Sequence, residues 1–286
     1  MFGLKGQKPR QWGPLSAVQW AVRHNCDRLG FPYPSWAFAG MEGAGKPIDL
    51  VTGAEADTST SMTWQQGRFG LENRTVHSGS PGTRWTTAPG VNALKTSSAG
   101  TYFVVALMDS PPATDAVILA NSATATGFTL RALRNTDSDV YLRYTYYGVA
   151  DYQTSNAGGY ISVGDGQYRR LAVTSAGSSA ALRFFSDATL LRAVTTGTYK
   201  QTTSDLFNFN GRLYPATSLL GAIPFAAVWP GWVATDTQVS ELSERWLDLL
   251  TPAPRPVWFD MGAGGGTTKI AVLARPNYHA IGGGMR

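Results

Sequence analysis

The sequence has few of the residues that build covalent or metal-held frameworks. Its 286 residues include one cysteine, Cys26, and three histidines, His24, His77 and His279. One cysteine excludes an internal disulfide framework and a Cys-rich zinc module, and three scattered histidines offer little for a His-built metal site. Stability must therefore come from a hydrophobic core, for which this length and a 43% hydrophobic content suffice.

Charged side chains are also scarce. They make up 15% of the chain, against about 25% in an ordinary globular protein. Glycine is frequent by contrast, with 32 residues or about 11% of the chain where about 7% is usual. This composition favours short strands joined by many turns, and it argues against a helical bundle, a coiled coil and an acidic disordered chain.

The net charge of +5 is concentrated at the two ends of the chain. Residues 1–28 carry a net +4 and residues 260–286 a net +2, which leaves −1 for the body between them. Specific binding to nucleic acid is not expected, because it needs a basic face on the folded body. No apolar run approaches the roughly 18 residues of a membrane span, and the polar start lacks a signal-peptide core, so no membrane partner is expected.

Helical periodicity is confined to two segments. Residues 15–29 place apolar side chains on one face and are followed by Gly30, a typical C-cap. Residues 235–250 repeat apolar side chains at intervals of three and four and are stopped by Pro252. Between these segments, the prolines of 31–36 forbid continuation of the first helix, so we expect an extended connector whose aromatics lie on a surface.

Between about 48 and 233 the pattern is that of an all-β protein. Runs rich in Val, Thr, Tyr, Phe and Trp are separated by Gly, Ser, Asn and Asp clusters. The predicted strands are 101–108, 116–121, 127–133, 140–146, 168–174, 181–186, 190–195, 205–209 and 221–228. In 140–146 two sets of side chains alternate, so one face is expected to be buried and the other to meet solvent or a partner. This many strands without intervening helices predicts a sandwich or jelly roll.

The chain is predicted to have three parts. Residues 1–40 form an N-terminal arm and helix, 41–260 form the β domain, and 261–286 form a Gly-rich C-terminal tail. Both ends are basic and punctuated by glycine and proline, which suits arms that become ordered on assembly. The predicted anchoring residues are Lys5, Lys8, Arg10, Trp12, Lys269, Arg275 and Tyr278.

Three segments of the β region follow the sequence pattern of a known family. Residues 167–174, QYRRLAVT, resemble the strand usually written W-H-x-V-A-V-T, and residues 182–190, LRFFSDATL, resemble the L-Y-V-D-G-x-L hairpin that follows it. Residues 206–213 and 220–229 resemble late strands with the pattern F-x-G-x-I-x-x-V-x-I-W. Over about 50–260 the chain thus resembles the concanavalin A-like jelly rolls, specifically the laminin-G-like domains of bacteriophage virion proteins.

The chain departs from that pattern at two places. Tyr168 and Arg169 stand where Trp-His is typical, and Asp187 and Ala188 stand where the hairpin has Asp-Gly. Both places are structural and tolerant. The resemblance therefore still implies an all-β, concanavalin A-like jelly-roll sandwich with an N-terminal helix and arm, a short C-terminal helix and an extended C-terminal tail.

The resemblance also implies a function. It is that of a non-enzymatic virion structural protein assembled in the bacterial cytoplasm, and the two anchoring arms favour a capsid decoration or cement protein within that class. The implied partners are a major capsid protein or tail and baseplate proteins, together with further copies of the chain, with a trimer as the expected symmetry. The first alternative is a tail or baseplate adhesin that binds host surface carbohydrate through the jelly roll, and the second, disfavoured, is a glycoside hydrolase.

Tyrosines are concentrated in one part of the β region. A tyrosine supplies apolar area and a hydroxyl, which suits core packing, a protein interface or sugar stacking, and all three interpretations stay open. The tyrosines predicted as interface or glycan contacts are Tyr141, Tyr144, Tyr146, Tyr147, Tyr152 and Tyr160.

Motifs for catalysis and cofactors are incomplete. Residues 40–47, GMEGAGKP, have the phosphate-loop spacing but end in proline where a Ser or Thr must bind Mg²⁺. Glu55 and Asp57 resemble the start of the E-x-D-x-x-E box of jelly-roll glucanases, but Thr60 replaces the second glutamate that a retaining glycosidase needs. We therefore predict no enzyme activity.

Acidic residues in turns leave one cofactor as an alternative. Asp137, Asp139 and Asp165 could supply oxygen ligands to calcium. Turns favour Asp for backbone reasons alone, and these three have no calcium-loop spacing. The prediction is no cofactor, with calcium as the alternative.

Overall fold

The chain forms two compact units in a computed structural model. One unit combines Met1–Phe31 with Trp246–Arg286, and the other is Pro32–Arg245. The structure describes residues 14–40, 47–57, 62–75, 83–85, 91–97, 99–113, 115–123, 126–202, 207–210, 219–250, 255–260 and 269–274. The predicted division at 1–40, 41–260 and 261–286 stays a prediction.

Antiparallel strands dominate the described residues. In chain order they are β1 (Trp36–Ala39), β2 (Met62–Gly67), β3 (Gly70–Thr75), β4 (Thr83–Trp85), β5 (Gly100–Met108), β6 (Asp115–Ala123), β7 (Thr126–Arg134), β8 (Asp139–Tyr146), β9 (Ala150–Gln153), β10 (Ile161–Ser162), β11 (Tyr168–Ser175), β12 (Ala181–Ser186), β13 (Thr189–Thr195), β14 (Phe207–Phe209), β15 (Gly221–Pro230), β16 (Arg255–Asp260) and β17 (Lys269–Ala274). The helices are α1 (Pro14–Leu29), α2 (Ala93–Thr96) and α3 (Asp236–Leu250), with a 3₁₀ turn at Thr154–Ala157.

The strands of Pro32–Arg245 form two sheets. The eight-stranded sheet has the order β13-β12-β11-β5-β15-β3-β2, with β1 also paired to β15. The seven-stranded sheet has the order β10-β8-β7-β6-β14-β4, with β9 also paired to β8. The predicted all-β sandwich is confirmed, and each of the nine predicted strands overlaps an observed one. In the other unit, β16 and β17 pair as an antiparallel hairpin.

Aromatic side chains from both sheets meet in the core. Tyr102 of β5 lies with its ring centroid 5.0 Å from that of Phe128 of β7, and Phe128 stacks on Tyr144 of β8 at 5.4 Å. The hydroxyl of Tyr144 donates to that of Tyr102 at 3.1 Å. The hydroxyls of these two buried tyrosines are therefore hydrogen-bonded to each other across the sandwich.

The eight-stranded sheet is buried on its outer face as well. Phe103, Val105 and Phe225 alternate with the inward residues of β5 and β15, yet they are at most 1% exposed. Arg183 of β12 pairs with Asp236 at 2.5 Å, which brings the first turns of α3 to this face. A strand that is buried on both faces has a nearly continuous apolar sequence, and β15 is an example.

The predicted surface connector at 31–36 needs correction at its end. Trp36 is fully buried and opens β1, where it pairs with Val228 of β15. Its ring lies 4.8 Å from that of Phe207 and 5.4 Å from that of Phe209, both on the seven-stranded sheet. Trp36 thus contacts both sheets. The prolines before it predicted a surface position, but burying the large apolar area of the indole gains more free energy.

The turn between β12 and β13 has an unusual backbone for its sequence. Ser186 pairs with Thr189, so Asp187 and Ala188 form a two-residue loop. Both have positive φ, 49° for Asp187 and 69° for Ala188. This is the left-handed geometry of a type I′ turn, which favours glycine at the second position and costs an alanine free energy.

Replacing Ala188 by glycine should stabilise the protein. We expect Ala188→Gly to raise the free energy of unfolding by about 1 kcal/mol, because the left-handed backbone costs glycine nothing. Urea unfolding followed by circular dichroism measures the change. The control is Ala193→Gly in the extended strand β13, which should lower the free energy of unfolding by about 0.5–1 kcal/mol. Equal effects of the two substitutions would contradict the assigned turn.

Candidate functional site

The structure divides the six predicted contact tyrosines between core and surface. Tyr144 and Tyr146 are at most 1% exposed, and Tyr152 is 8% exposed. The hydroxyl of Tyr146 shares a hydrogen bond with the Oγ of Ser175 at 3.1 Å, and that of Tyr152 accepts one from the amide of Gly197 at 2.5 Å. The contact prediction is wrong for these three, since side chains pointing to the core side of β8 and β9 cannot reach a ligand.

The other three tyrosines lie on the outer side of the seven-stranded sheet. Tyr141 alternates with the core residues of β8, and Tyr147 directly follows that strand, its amide donating to the carbonyl of Gly127 at 3.1 Å. Both are half-buried. Tyr160 is 44% exposed and directly precedes β10, whose Ile161 pairs with Val140, so the register places it beside Tyr141. For these three residues, contact with a partner or a glycan stays a prediction.

Two arginines lie between these tyrosines. Arg131 of β7 is directly opposite Arg143 of β8 in the register. Arg131 pairs with Asp115 of β6 at 2.5 Å. Arg143 approaches Asp151 of β9 at 3.4 Å and donates to the side-chain oxygen of Gln153 at 3.1 Å. Each guanidinium is therefore held in place by a carboxylate on its far side.

The arginines also bind the tyrosine hydroxyls. Arg131 donates to the hydroxyl of Tyr147, and its guanidinium carbon lies 5.9 Å from the centre of that ring. Arg143 reaches the hydroxyl of Tyr141 at 3.5 Å. We call this group the Arg–Tyr surface; its members are Asp115, Arg131, Tyr141, Arg143, Thr145, Tyr147, Asp151 and Gln153.

The accessible part of the outer face is at β8 and β9. Val117 of β6 and Thr129 of β7 are buried there, whereas the outward residues of β8 are half-buried. Half-buried aromatic rings beside fixed hydrogen-bonding groups can pack on the apolar side of a sugar ring while binding its hydroxyls. Because strands carry these groups, their positions are set before a ligand arrives.

The three aspartates predicted as alternative calcium ligands make contacts within their own turns. Asp137 pairs with Arg134, and Asp165 pairs with Arg169. Asp139 accepts a hydrogen bond from the hydroxyl of Thr136 at 2.7 Å. Within the ranges that the structure describes, no group of three or more His, Cys, Asp or Glu side chains could hold a metal ion.

The other candidate motifs have ordinary surroundings or lie outside the described residues. Glu55 forms an isolated β-bridge with Ile48, and both Glu55 and Asp57 are exposed. Residues 41–46 and Thr60 lie outside the described residues, as do the predicted anchors Lys5, Lys8, Arg10, Trp12, Arg275 and Tyr278, while Lys269 opens β17.

No helix in the described part of the chain combines the length and hydropathy needed to cross a membrane.

A buried carboxylate, Glu72 of β3, has no sequence signal. It accepts hydrogen bonds from the amide of Phe69 at 2.8 Å and from the hydroxyl of Tyr168, 96 residues away. Burial, followed by the hydrogen bond to Glu72, raises the pKa of Tyr168 above its usual range. One carboxylate that accepts hydrogen bonds from these two donors therefore fixes the β2–β3 turn.

The comparisons with known proteins identify a fold and no family. No family model matches the chain, and no curated protein matches it. The three solved structures described next are 9–11% identical to the chain, a level at which the likeness shows the fold alone. It is consistent with the concanavalin A-like fold that the sequence resemblance implied.

The likenesses extend over most of the chain. It is similar to Trypanosoma rangeli sialidase in complex with sialic acid, with a TM-score of 0.56 and 11% identity over 82% of this chain and 39% of that one. It is similar to the binding domain of Paraclostridial Mosquitocidal Protein 1, with a TM-score of 0.52 and 9% identity over 78% and 54%. It is also similar to a botulinum neurotoxin type C structure, with a TM-score of 0.51 and 9% identity over 78% and 53%. The chain thus matches about half or less of each of these three chains.

Proposed function

We propose that this chain is a non-catalytic carbohydrate-binding protein whose jelly roll binds a glycan at the Arg–Tyr surface. The observation that carries the proposal is the pairing of two half-buried tyrosines, Tyr141 and Tyr147, with two ion-paired arginines, Arg131 and Arg143. The rings supply stacking area and the guanidinium groups supply directed hydrogen bonds, on strands that are already in place.

The solved structures with the same fold support a glycan as ligand. The Trypanosoma rangeli sialidase is in complex with sialic acid, and the neurotoxin depends on interaction with two ganglioside molecules to reach the inside of cells. Those descriptions belong to those proteins. They support the proposal because the surface of this jelly roll independently has the side chains that sugars require.

The non-catalytic part of the proposal rests on the carboxylates. A glycosidase generally needs two carboxyl groups facing one glycosidic bond, as general acid and as nucleophile or base. On the Arg–Tyr surface, Asp115 and Asp151 lie on opposite sides of the arginine pair, each against its own guanidinium. This arrangement favours binding over hydrolysis.

The place of action is proposed from the sequence resemblance alone. In a bacteriophage virion, a protein whose jelly roll binds host carbohydrate would be a tail or baseplate adhesin. The capsid decoration role depends on the terminal arms, whereas the adhesin binds through the jelly roll, on which the Arg–Tyr surface lies. We therefore prefer the adhesin.

Removing either surface tyrosine should weaken glycan binding. We expect Tyr141→Ala and Tyr147→Ala each to raise the Kd for the best ligand from a glycan array by about 2- to 10-fold, because a stacked ring contributes about 0.5–1.5 kcal/mol. Isothermal titration calorimetry on the full chain measures the change. The matched control is Tyr33→Ala, which removes an exposed tyrosine away from the seven-stranded sheet. Unchanged affinity in both Tyr141→Ala and Tyr147→Ala would refute the site.

A further inference from the structure

Four charges cross the seven-stranded sheet in a fixed order. From β9 through β8 and β7 to β6 they are Asp151, Arg143, Arg131 and Asp115. Like charges directly opposite each other normally destabilise a sheet. Here the outer carboxylates compensate the two guanidinium groups, which keeps the positive charges side by side at the centre.

The centre of this row has more hydrogen-bond donors than acceptors. The oxygens of Asp151 are engaged by Arg143 and by the hydroxyl of Thr145, the latter at 2.7 Å. The hydroxyl of Tyr141 accepts from Arg143 and so keeps its own proton to donate. Each guanidinium has five N–H donors, more than the described contacts use.

Three donor atoms on this face have no hydrogen-bond partner among the described residues. They are the Nε of Arg131, the Nε of Arg143 and the hydroxyl of Thr129. All three atoms are buried, so a ligand cannot reach them directly, and it would meet the terminal nitrogens of the arginines instead.

The two arginines are partly withdrawn from water. The Arg131 side chain is 14% exposed and that of Arg143 is 25% exposed. At such a site a charge-assisted hydrogen bond is stronger than in bulk water, because solvent screens it less. The terminal nitrogens nevertheless lie on the side of the sheet that opens to solvent at β8 and β9.

We infer that the ligand is an acidic glycan, and that its carboxylate binds between Arg131 and Arg143. This inference rests on the proposed function and deepens it. A carboxylate only accepts hydrogen bonds and matches guanidinium groups in geometry, whereas a neutral sugar hydroxyl needs acceptors as well as donors. The ring of the acidic sugar then lies against Tyr141 or Tyr147.

The test compares each acidic glycan with its own neutral form. Oligogalacturonides and sialyllactose are titrated into the wild-type chain beside the same oligosaccharides after chemical reduction of their carboxyl groups to alcohols. We expect the acidic form of a bound glycan to bind about 10–100-fold more tightly than its reduced form. A sulfated oligosaccharide in the same titration distinguishes carboxylate recognition from general attraction of anions, and equal or tighter binding of the sulfate would overturn the carboxylate assignment.

Variants locate the contact within the surface. Arg143→Gln and Arg131→Gln should reduce affinity for the acidic glycan at least 10-fold and change affinity for the reduced glycan much less. Arg134→Gln is the control. Arg134 is exposed, lies at the end of β7, which also carries Arg131, and is paired with Asp137. The wild-type comparison needs no variant, so it decides the question even if Arg131→Gln fails to fold.

The possible results distinguish an error in the class of ligand from an error in the proposed function. Equal binding of acidic and reduced forms, or binding of neutral glycans alone, would overturn the acidic ligand and leave a carbohydrate-binding protein. Binding of no glycan, acidic or neutral, on an array covering both would overturn the proposed function, and the inference with it.

Discussion

Replacing Trp36 by alanine is expected to lower the free energy of unfolding by about 3–5 kcal/mol, the usual cost of removing a fully buried tryptophan. Trp36 belongs to the eight-stranded sheet through β1 and contacts Phe207 and Phe209 of the seven-stranded sheet. The substitution therefore leaves a cavity between the sheets and removes two aromatic contacts. Urea unfolding followed by circular dichroism measures the loss.

Two further variants establish that the loss comes from the contact between the sheets. Trp36→Phe keeps an aromatic ring and should cost clearly less than Trp36→Ala. Tyr33→Ala, three residues earlier, removes an exposed ring and should change the free energy of unfolding by no more than about 0.5 kcal/mol. A cost below about 1 kcal/mol for Trp36→Ala would show that the indole does not hold the sheets together.

Raising the pH above 9 is expected to destabilise the protein steeply. Burial raises the pKa of Tyr102 and Tyr144 well above 10, and burial followed by the charge of Asp27 raises the pKa of Cys26 to about 12. The folded chain keeps these protons where the unfolded chain releases them. The stability that the groups contribute is complete below the unfolded pKa values and is lost as the pH rises through the folded ones.

The slope of the free energy of unfolding against pH depends on how many protons only the folded chain retains. Every group that stays protonated only in the folded chain lowers the free energy of unfolding by about 1.4 kcal/mol per pH unit. Cys26 begins to act near pH 9, and Tyr102 and Tyr144 together add about 3 kcal/mol per unit above pH 10. Urea unfolding at intervals of half a pH unit measures this dependence.

A cysteine variant isolates one part of that dependence. Cys26→Ala should flatten the curve between pH 9 and 10 and leave the steeper fall above pH 10 in place, because the buried tyrosines remain. A constant loss of stability from the smaller side chain shifts the whole curve and does not change its slope. A wild-type curve that is flat to pH 12 would contradict the burial of all three groups.

Strands with a clear binary pattern could be predicted from the sequence. In β8, Leu142 and Tyr144 are buried while Tyr141 and Arg143 are half-buried, as the alternation indicated. The apolar runs of β5 and β15 were also found, since burial on both faces makes them conspicuous. β2 and β3 were missed because their residues, MTWQQG and GLENRT, are polar and show no alternation.

The candidate site was only partly predictable. The sequence predicts contacts at the accessible Tyr141, Tyr147 and Tyr160 and equally at three buried tyrosines, because it does not say which parity faces the core. The buried three are Tyr144, Tyr146 and Tyr152. Arg131 and Arg143 have no signal in the sequence, because each matters only through its pairing with the other residues of the surface.

Pairing of that kind depends on register and sheet order. Arg131 and Arg143 are 12 positions apart and meet only in the register of β7 and β8, and their aspartates come from β6 and β9. Trp36 illustrates the same limit, since nothing local indicates that a residue after two prolines will lie between two sheets.

The charge row Asp151, Arg143, Arg131 and Asp115 also affects how fast a ligand would arrive. Its two positive and two negative charges cancel at a distance, and residues 29–259 carry a net charge of only −1. The charge row and residues 29–259 therefore attract an approaching anion only within contact range, and they contribute little electrostatic steering to the association rate. Discrimination between ligands at this surface should appear in their residence times.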